Sequence, residues 1–461
     1  MKPRAGGAPT RLSPRFSPAL VTDLYQLTML QAYFEERMSA TAVFSLFARR
    51  LPERRNYLLA CGLDEVLMYL ETLRFDQAAL EYLESLGQFS KRFLRHLETL
   101  RFTGDVYAVP EGTPVFANEP LLEVEAPIAE AQLVETFVMN EIHLQTVLAS
   151  KASRVVHAAR GRQVVDFGLR RIHGADAGIK AARAFYIAGV DATSNVAAGQ
   201  AYGIRVAGTM AHSYIQAHDE EFEAFRDFAR LYPDTVLLVD TYDTLEGVQK
   251  VIELARTLGS QFKVKAIRLD SGDLRDLSVK ARRMLDDAGL QRVTIFASGG
   301  LNEDAVEKLT ASGAPIDGFG VGADMGVSRD APSLDFAYKL VEYAGQARMK
   351  LSAGKSTLPG RKQIFRVEPD GVADHDVLGR RDEAPLGRPL LQHVMAGGRR
   401  CQPRVALADA REQAKRELEH LPPRLRQIEP ANPRYAVETS AALNRDLETV
   451  RQHFEAETVK R

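Results

Sequence analysis

Residues 204–218 read IRVAGTMAHSYIQAH, and several stretches in the middle of the chain have the same pattern. A short apolar run, 204–208, passes through Gly208 to the polar residues Thr209 and His212. An apolar run that ends in a glycine and polar side chains is typical of a buried strand leading into a loop. The stretch therefore predicts a strand with functional side chains at its carboxyl end.

The same pattern recurs along the middle of the chain. Apolar strand candidates occur at 164–167, 190–193, 204–209, 235–240, 264–269, 293–298 and 316–321. Helical periodicity is clearest between them at 219–231, 244–258, 273–288 and 302–312. Strands alternating with helices predict a parallel α/β sheet, and about seven such units favour an irregular (β/α) barrel. An open doubly wound sheet is the alternative, although no G-x-G-x-x-G motif follows any of these strands.

The segments on either side of the predicted barrel differ from it. Residues 1–18 are basic and rich in Pro and Gly, which predicts a disordered tail. We expect an N-terminal α+β domain at 19–150, the barrel at 151–332, and a β-rich return segment with a helical C-terminal region at 333–461. The segments before and after the barrel are expected to form one discontinuous α+β domain. Within the last segment we predict strands at 335–351 and 361–367, loops to about residue 402, and helices at 405–420 and 437–458.

The composition excludes several classes of protein. The chain has 461 residues, 45% hydrophobic and 26% charged, as expected of a globular protein with two or three domains. With 60 basic and 61 acidic residues the net charge is -1, so neither nucleic acid nor a membrane surface is expected as a partner. Cys61 and Cys401 are the only cysteines, and no apolar run approaches the ~20 residues that span a bilayer. We therefore expect a cytoplasmic protein without a cysteine-rich zinc site.

Polar clusters follow the strand candidates, and in a parallel barrel the carboxyl ends of all strands share one face. The clusters contain paired arginines, aspartates, a histidine and two glycine-rich loops. Arginine binds phosphate or carboxylate, glycine-rich turns bind phosphate through backbone N–H groups, and aspartate holds Mg²⁺ or sugar hydroxyls. Together they predict a site for a substrate with several phosphates. Simpler interpretations exist: Ser194, Asn195, Asp243 and Asp273 as helix caps, and His212 as an interior histidine.

Six segments, in order, resemble the nicotinate phosphoribosyltransferases, a family of type II phosphoribosyltransferases. They are TDLYQLTM (22–29), DFGLRRIHG (166–174), TSNVAAGQAYGIRVAGTMAHS (193–213), LLVDTYDT (237–244), RLDSGDL (268–274) and, less closely, ARMKLS (347–352). The resemblance implies that nicotinate attacks C1′ of phosphoribosyl pyrophosphate, giving nicotinate mononucleotide and pyrophosphate in the first step of NAD salvage. It also implies ATP hydrolysis coupled as in a ligase, a requirement for Mg²⁺, and a homodimer with its site at the subunit interface.

The resemblance assigns roles to single residues. His212 matches the histidine that becomes phosphorylated, and Thr209 and Arg268 match nicotinate-binding positions. Tyr25 matches the residue that stacks on the pyridine ring, with plain helix core as the alternative. The other matched residues are expected to bind a carboxylate or phosphate (Arg170, Arg171), ribose hydroxyls or Mg²⁺ (Asp270, Asp273) and the 5′-phosphate (Ser298, Gly299, Gly300, Gly320, Gly322, Ala323). No residue is assigned with certainty as a metal ligand.

One loop departs from the family pattern. The family usually carries Gly-Thr after Gly-Val, whereas here Gly322 is followed by Ala323 and Asp324, so a hydroxyl contact to phosphate is missing. Two other functions stay open: an enzyme like nicotinamide phosphoribosyltransferase, which would bind an uncharged amide, and a barrel that binds metabolites without catalysis. The arginine-rich rim favours an acid substrate, and the intact histidine, arginine and aspartate clusters favour an enzyme.

Overall fold

The computed structural model describes residues 17–351 and 357–459. The tail predicted at 1–18 lies outside these residues except for its end, where Pro18 begins a short 3₁₀ helix, Pro18–Leu20. Within the described residues, no helix is both long enough and apolar enough to cross a membrane.

The chain divides into two compact units. The sheet unit is Lys151–Pro332, and the discontinuous unit combines Met1–Ser150 with Ser333–Arg461. In the first part of the chain the elements are α1 (Leu24–Glu35), β1 (Thr41–Ala48), β2 (Leu58–Leu59), α2 (Leu63–Thr72), α3 (Gln77–Ser85), α4 (Lys91–Thr99), β3 (Asp105–Ala108), β4 (Pro114–Val115), β5 (Pro120–Pro127), α5 (Ile128–Leu133) and α6 (Glu135–Ala158). The last residues of α6 belong to the sheet unit.

Strands and helices alternate through the sheet unit. Its further elements are β6 (Gln163–Asp166), α7 (Ala175–Ile187), β7 (Ala192–Thr193), α8 (Val196–Tyr202), α9 (His212–Gln216), α10 (Glu221–Leu231), β8 (Val236–Leu238), α11 (Thr244–Leu258), β9 (Ala266–Leu269), α12 (Leu274–Asp287), β10 (Thr294–Ala297), α13 (Glu303–Ala311), β11 (Gly318–Val321) and α14 (Ala323–Gly326). The strands form one parallel sheet in the order β7-β6-β11-β10-β9-β8. The prediction of an α/β fold is confirmed, with the sheet curled into a half-barrel.

The parallel sheet is open on one side. The strand predicted at 204–209 is wrong, because only Val206 pairs there, through a single bridge to Thr193, the last residue of β7. At the other end of the sheet, β8 pairs with β9 alone among the described strands. Segment 204–209 therefore lacks the second neighbour that would extend its hydrogen bonds into a ladder. The opening lies between Val206 and β8.

Polar residues at strand ends begin several helices. The side-chain oxygens of Asn195, Asp243, Asp273 and Asn302 accept backbone N–H groups in the first turns of α8, α11, α12 and α13. These N–H groups have no acceptor within their own helix, so the caps stabilise the helix starts. The simpler interpretation of Asn195, Asp243 and Asp273 as caps is confirmed.

The discontinuous unit is closed by strands from both ends of the chain. Its later elements are β12 (Phe336–Tyr343), β13 (Gln346–Ala347), β14 (Lys362–Val367), β15 (His375–Arg380), β16 (Arg388–Pro389), β17 (Gln392–Ala396), β18 (Arg399–Arg400), α15 (Leu407–His420), α16 (Pro423–Arg426), β19 (Ala436–Thr439) and α17 (Ala441–Val459). An antiparallel sheet has the order β13-β12-β1-β5-β3-β17-β18, so residues before and after the sheet unit share one core. β1 is buried at every position except Thr41, because β12 and β5 pair with its two edges.

Two expectations for the C-terminal region are wrong. The segment expected to be loops up to about residue 402 contains β15 to β18, and β19 occupies the start of the helix predicted at 437–458. β15 pairs with β14 on one side and, in parallel, with β19 on the other. These strands are short and polar, so the pairing with remote segments that stabilises them leaves little trace in local periodicity.

Candidate active site

A cavity of about 730 Å³ lies at the carboxyl ends of the parallel strands, and every residue that lines it belongs to the sheet unit. All but two of the predicted site residues line it: Arg170, Arg171, Thr209, His212, Arg268, Asp270, Ser298, Gly299, Gly300, Gly320, Gly322 and Ala323. They come from loops far apart in sequence, which the parallel sheet brings together because its strand ends share one face.

Tyr25 and Asp273 are the two exceptions. Tyr25 lies on α1 in the discontinuous unit and is 49% exposed, so it is not a plain core residue. Partial burial, with the charges of Glu135 and Asp23, raises the pKa of its hydroxyl to about 12. The Asp273 carboxylate accepts hydrogen bonds from the backbone N–H groups that begin α12. Oδ1 of Asp273 is therefore a helix cap, and the residue does not line the cavity; its contact to ribose or Mg²⁺ stays a prediction.

His212 is the first residue of α9, and each of its ring nitrogens faces a polar side chain. Nδ1 lies 3.1 Å from Oγ1 of Thr241, the third residue after β8. Nε2 lies 3.8 Å from Oδ2 of Asp270, and the side chain is 39% exposed. The imidazole is therefore held on one edge and accessible from the cavity. Thr241 was missed as a site residue, although the quoted segment LLVDTYDT contains it.

Arg268 extends from β9 into the same cavity with its guanidinium largely buried. Nη1 donates hydrogen bonds to Oγ1 of Thr209 and, at 3.2 Å, to the carbonyl of Met210. Nη2 lies 3.5 Å from Asp270, and within the described part of the chain the buried Nε has no hydrogen-bond partner. Burial lowers the pKa of Arg268, partly offset by Asp270 and Asp240. A buried cation with an unused donor suits an anionic ligand.

Two aspartates lie together beside His212. Asp270 accepts a hydrogen bond from the Ser298 hydroxyl, and its own backbone N–H donates to Oδ2 of Asp240 at 2.9 Å. The hydroxyl of Ser271 donates to the same Asp240 oxygen. Oδ1 of Asp240 is buried and has no hydrogen-bond partner among the described residues. Across residues 17–351 and 357–459, no group of three or more His, Cys, Asp or Glu side chains is arranged to hold a metal ion.

A buried carboxylate, that of Asp166, holds the loop that contains Arg170 and Arg171. Asp166, the last residue of β6, accepts the backbone N–H of Gly168 and the Thr193 hydroxyl, both at 2.7 Å. Burial raises the pKa of Asp166, and these two hydrogen bonds oppose that effect. The next residues form a 3₁₀ helix, Leu169–Arg171, whose two arginines line the cavity. The carboxylate therefore orients the turn that presents Arg170 and Arg171.

Two glycine-rich loops that were predicted to bind phosphate complete the cavity. We refer to residues 298–300 as the first phosphate loop and to residues 320–323 as the second phosphate loop. Gly299 has φ +88°, and a Cβ there would lie 1.7 Å from the carbonyl oxygen of Asp270. Only glycine therefore allows this approach. The first loop leads into α13 and the second into α14, and residues of both loops line the cavity.

The carboxylate of Asp324 follows the second phosphate loop, at the point where the sequence departs from the family pattern. Asp324 lines the cavity, and its Oδ1 lies 2.7 Å from Nζ of Lys151. Arg329 also lines the cavity, is 72% exposed, and approaches Oδ2 of Asp324 to 3.7 Å. The carboxylate next to the loop is therefore paired with cations. No local pattern in the sequence points to Lys151 or Arg329.

Known proteins resemble this chain over nearly its whole length. The model of the nicotinate phosphoribosyltransferase N-terminal domain matches residues 20–143, and that of the quinolinate phosphoribosyl transferase C-terminal domain matches residues 148–339. A nicotinate phosphoribosyltransferase of Mycobacterium tuberculosis is 56% identical over 440 residues, 95% of each chain. The Bacillus subtilis enzyme of the same name is 42% identical over 359 residues, 76% of this chain and 73% of that protein. The crystal structure of human nicotinic acid phosphoribosyltransferase superposes with a TM-score of 0.84 at 29% identity, covering 93% of this chain and 99% of that one.

Proposed function

Because this chain belongs to the nicotinate phosphoribosyltransferase family, we propose that it carries out the family reaction and couples it to ATP hydrolysis through His212. The reaction joins nicotinate to phosphoribosyl pyrophosphate, gives nicotinate mononucleotide and pyrophosphate, and is the first step of NAD salvage from nicotinate. One observation carries the proposal: a single cavity contains His212, the buried guanidinium of Arg268 and both phosphate loops.

Arg268 is the proposed partner of the nicotinate carboxylate. Its guanidinium is only 13% exposed, and the Thr209 hydroxyl fixes its orientation. A carboxylate compensates the charge of a buried guanidinium through charge-assisted hydrogen bonds, which the neutral amide of nicotinamide cannot do as well. We therefore expect nicotinate to be strongly preferred over nicotinamide.

The two phosphate loops are the proposed site for the 5′-phosphate of the ribose. Backbone N–H groups at glycine-rich turns and helix starts bind phosphate without needing the threonine hydroxyl that the sequence lacks. Arg170 and Arg171 are assigned to the remaining anionic groups of the substrates. The transfer has oxocarbenium character, so holding the substrates in line and neutralising charge provide most of the catalysis.

The proposed ATP step uses both nitrogens of His212. With Nδ1 protonated and donating to Thr241, Nε2 carries the lone pair that attacks the γ-phosphorus of ATP. The bond from that phosphorus to its bridging oxygen breaks, and ADP leaves with the electron pair. The ring nitrogen of nicotinate then attacks C1′ while the bond from C1′ to pyrophosphate breaks. Water later takes the phosphoryl group from Nε2, releasing phosphate and restoring His212.

The carboxylates of the cavity suit Mg²⁺. Proteins hold Mg²⁺ by one or two carboxylates, and substrate phosphates supply further oxygen ligands. Asp270 lines the cavity, and the adjacent Asp240 has a buried oxygen without a hydrogen-bond partner in the described part of the chain. We assign Asp270 to Mg²⁺, with Asp240 behind it; the ion would neutralise charge on the phosphates.

Steady-state formation of nicotinate mononucleotide tests the proposal. We expect turnover with nicotinate and phosphoribosyl pyrophosphate, stimulation by ATP and Mg²⁺, and far lower kcat/KM with nicotinamide. Absence of product with any pyridine acid would contradict the proposal and favour a barrel that binds metabolites without catalysis. Equal use of nicotinamide would instead show the nicotinamide activity.

Labelling with γ-³²P-ATP tests the phosphohistidine. The wild-type protein should acquire acid-labile label, and His212→Ala should acquire none. His218→Ala is a matched control, because Nδ1 of His218 contacts the Tyr214 carbonyl at 2.8 Å and the residue does not line the cavity. Label that persists in His212→Ala would contradict the assignment.

We further propose that the active form is a cytoplasmic homodimer in which Tyr25 stacks on the nicotinate bound by the other subunit. The exposure of Tyr25 in the single chain supports this role. Mixing Tyr25→Ala with His212→Ala subunits should restore activity, since the mixed dimer contains one intact site. A monomer in sedimentation experiments, or no restoration, would contradict the proposal.

A further inference from the structure

A buried lysine links the elements that follow the two phosphate loops. Lys151 lies on α6 and its side chain is 2% exposed. Its Nζ contacts Glu303 at 2.5 Å, Asp324 at 2.7 Å and Asp330 at 2.9 Å. Three carboxylates thus lie within ion-pair distance of one ammonium group, and two of them, Glu303 and Asp330, accept hydrogen bonds from it. The reaction proposed above gives Lys151 no role.

Two of these carboxylates occupy corresponding places in the fold. Glu303 is the first residue of α13, which follows the first phosphate loop, and Asp324 is in the first turn of α14, which follows the second. Each phosphate loop is therefore attached to a helix whose start is held by Lys151. Asp330 differs, because it lies after α14 and belongs to neither helix start.

Opposite charges hold Lys151 and the carboxylates around it in place. Arg154, one turn further along α6, donates from Nε to Glu303 at 2.9 Å. Burial alone would lower the pKa of Lys151, but the carboxylates raise it overall, so the ammonium stays charged. Without that charge, Asp324 would keep only the exposed guanidinium of Arg329, 3.7 Å away, to balance its carboxylate beside the proposed phosphate site. A carboxylate and a phosphate group are both negatively charged, and they repel each other strongly where water is excluded.

We propose that Lys151 is a positioning residue of the phosphate site: through Glu303 and Asp324 it sets the separation of the two phosphate loops, and it neutralises Asp324. The inference rests on the proposed function, because it concerns the phosphate group of that reaction. It also accounts for the departure from the family pattern at Ala323 and Asp324. The acidic residue there is part of the support of the loop, and the backbone amides carry the contact to phosphate.

The first test compares Lys151→Met with Asp330→Asn. Methionine keeps most of the volume but removes the charge, whereas Asp330→Asn removes one carboxylate and leaves both helix starts attached to Lys151. In Lys151→Met we expect KM for phosphoribosyl pyrophosphate to rise at least tenfold, with KM for nicotinate changed less than twofold. Asp330→Asn should leave both KM values within twofold of the wild type. Equal increases for both substrates in Lys151→Met would overturn the proposal.

The second test adds Asp324→Asn and a binding measurement, which stay informative even when Lys151→Met folds poorly. Asp324→Asn alone, in which Lys151 keeps Glu303 and Asp330, should raise KM for phosphoribosyl pyrophosphate about threefold. In Lys151→Met/Asp324→Asn the repelling carboxylate is gone, so KM should lie below that of Lys151→Met. The dissociation constants for phosphoribosyl pyrophosphate, measured by calorimetry, should rank the variants in the same order as the KM values. An unchanged affinity in Asp324→Asn, or a double variant weaker than Lys151→Met, would overturn the proposal.

These outcomes are separable from a failure of the proposed function. A wild-type protein that forms no nicotinate mononucleotide contradicts the function, whereas an active wild type whose variants keep its affinity for phosphoribosyl pyrophosphate contradicts only the role of Lys151. Melting temperatures recorded on the same samples identify a purely structural role: stability would fall while the KM values of the folded fraction stay at the wild-type level.

Discussion

Nδ1 of His212 lies 3.1 Å from Oγ1 of Thr241, and this contact joins the two edges between which the parallel sheet is open. His212 follows Val206, which makes the single bridge at one edge, and Thr241 follows β8 at the other. A side-chain hydrogen bond thus does locally what a backbone ladder does elsewhere in the sheet. It also selects the nitrogen that faces the cavity.

Thr241→Val should slow phosphorylation of His212. Valine keeps the shape of threonine but cannot accept a hydrogen bond from Nδ1, so the imidazole loses its preferred tautomer and orientation. A hydrogen bond of this kind contributes roughly 1 kcal/mol, so we expect the rate of labelling by γ-³²P-ATP to fall about fivefold. Thr241→Ser keeps the hydroxyl and should label at nearly the normal rate. Labelling of Thr241→Val at the wild-type rate would count against the contact.

Arg268→Gln should weaken nicotinate binding without unfolding the protein. A charged hydrogen-bond partner contributes about 1.5–3 kcal/mol, so KM for nicotinate should rise roughly 10- to 100-fold. Stability should change little, because an incompletely paired buried guanidinium is itself costly. Arg283→Gln is the control, since Arg283 is 86% exposed on α12. An unchanged nicotinate KM in folded Arg268→Gln would remove Arg268 from the site.

Gly299→Ala should be far more damaging than Gly300→Ala. Both glycines have positive φ, which costs a substituted alanine about 1–2 kcal/mol. Only at Gly299 would the new Cβ also collide with a backbone atom, the Asp270 carbonyl oxygen, whereas nothing lies within 4 Å at Gly300. KM for phosphoribosyl pyrophosphate and the melting temperature measure the difference. Equal effects of the two substitutions would mean that the close approach at Gly299 is unimportant.

Glu303→Gln should make the stability of the folded protein less dependent on pH below about pH 4.5. Burial alone would raise the pKa of Glu303, but Lys151 and Arg154 lower it overall. A depressed pKa in the folded state contributes stability above the usual carboxyl pKa, and this contribution is lost as pH falls through the folded value. We expect Glu303→Gln to cost about 3–5 kcal/mol at pH 7 and progressively less below pH ~4.5.

Melting temperatures from pH 7 down to pH 3.5 measure this effect. Glu307→Gln is the matched control, because Glu307 pairs at the surface with Arg160 and should cost under about 1 kcal/mol. Parallel curves for the wild type and Glu303→Gln across this range would contradict the buried pairing.

The α/β class and most of the cavity could be predicted from the sequence, for a physical reason. Buried parallel strands are apolar runs, and the polar residues that end them share one face, so Arg268, Asp270 and the glycine-rich loops could be assigned together. The sequence shows that residue 299 is a glycine, but it does not show that the carbonyl oxygen of Asp270 leaves no room there for a Cβ. Asp273 was predicted both as a ligand and as a helix cap, and the structure confirms the cap, in which Oδ1 accepts the N–H groups at the start of α12.

The features that could not be predicted from the sequence depend on residues that are far apart along the chain. The single bridge at Val206 replaces a predicted strand because no neighbour extends it, and β15 to β18 form because remote strands pair with them. Lys151 and Asp324 are 173 positions apart (324 − 151), so no spacing rule links them. Contacts of this kind depend on which remote segments the tertiary fold brings together, and local sequence patterns do not show that.

The opening between Val206 and β8 means that the two sides of the site are held by different kinds of hydrogen bond. Backbone ladder bonds hold β9, β10 and β11, from which Arg268 and both phosphate loops extend. His212 contacts the neighbouring edge through side chains, whose rearrangement leaves every ladder bond intact. In the proposed mechanism, gain and loss of a phosphoryl group at His212 would therefore be local events, and the loops proposed to bind the ribose phosphate would keep their ladder bonds from one turnover to the next.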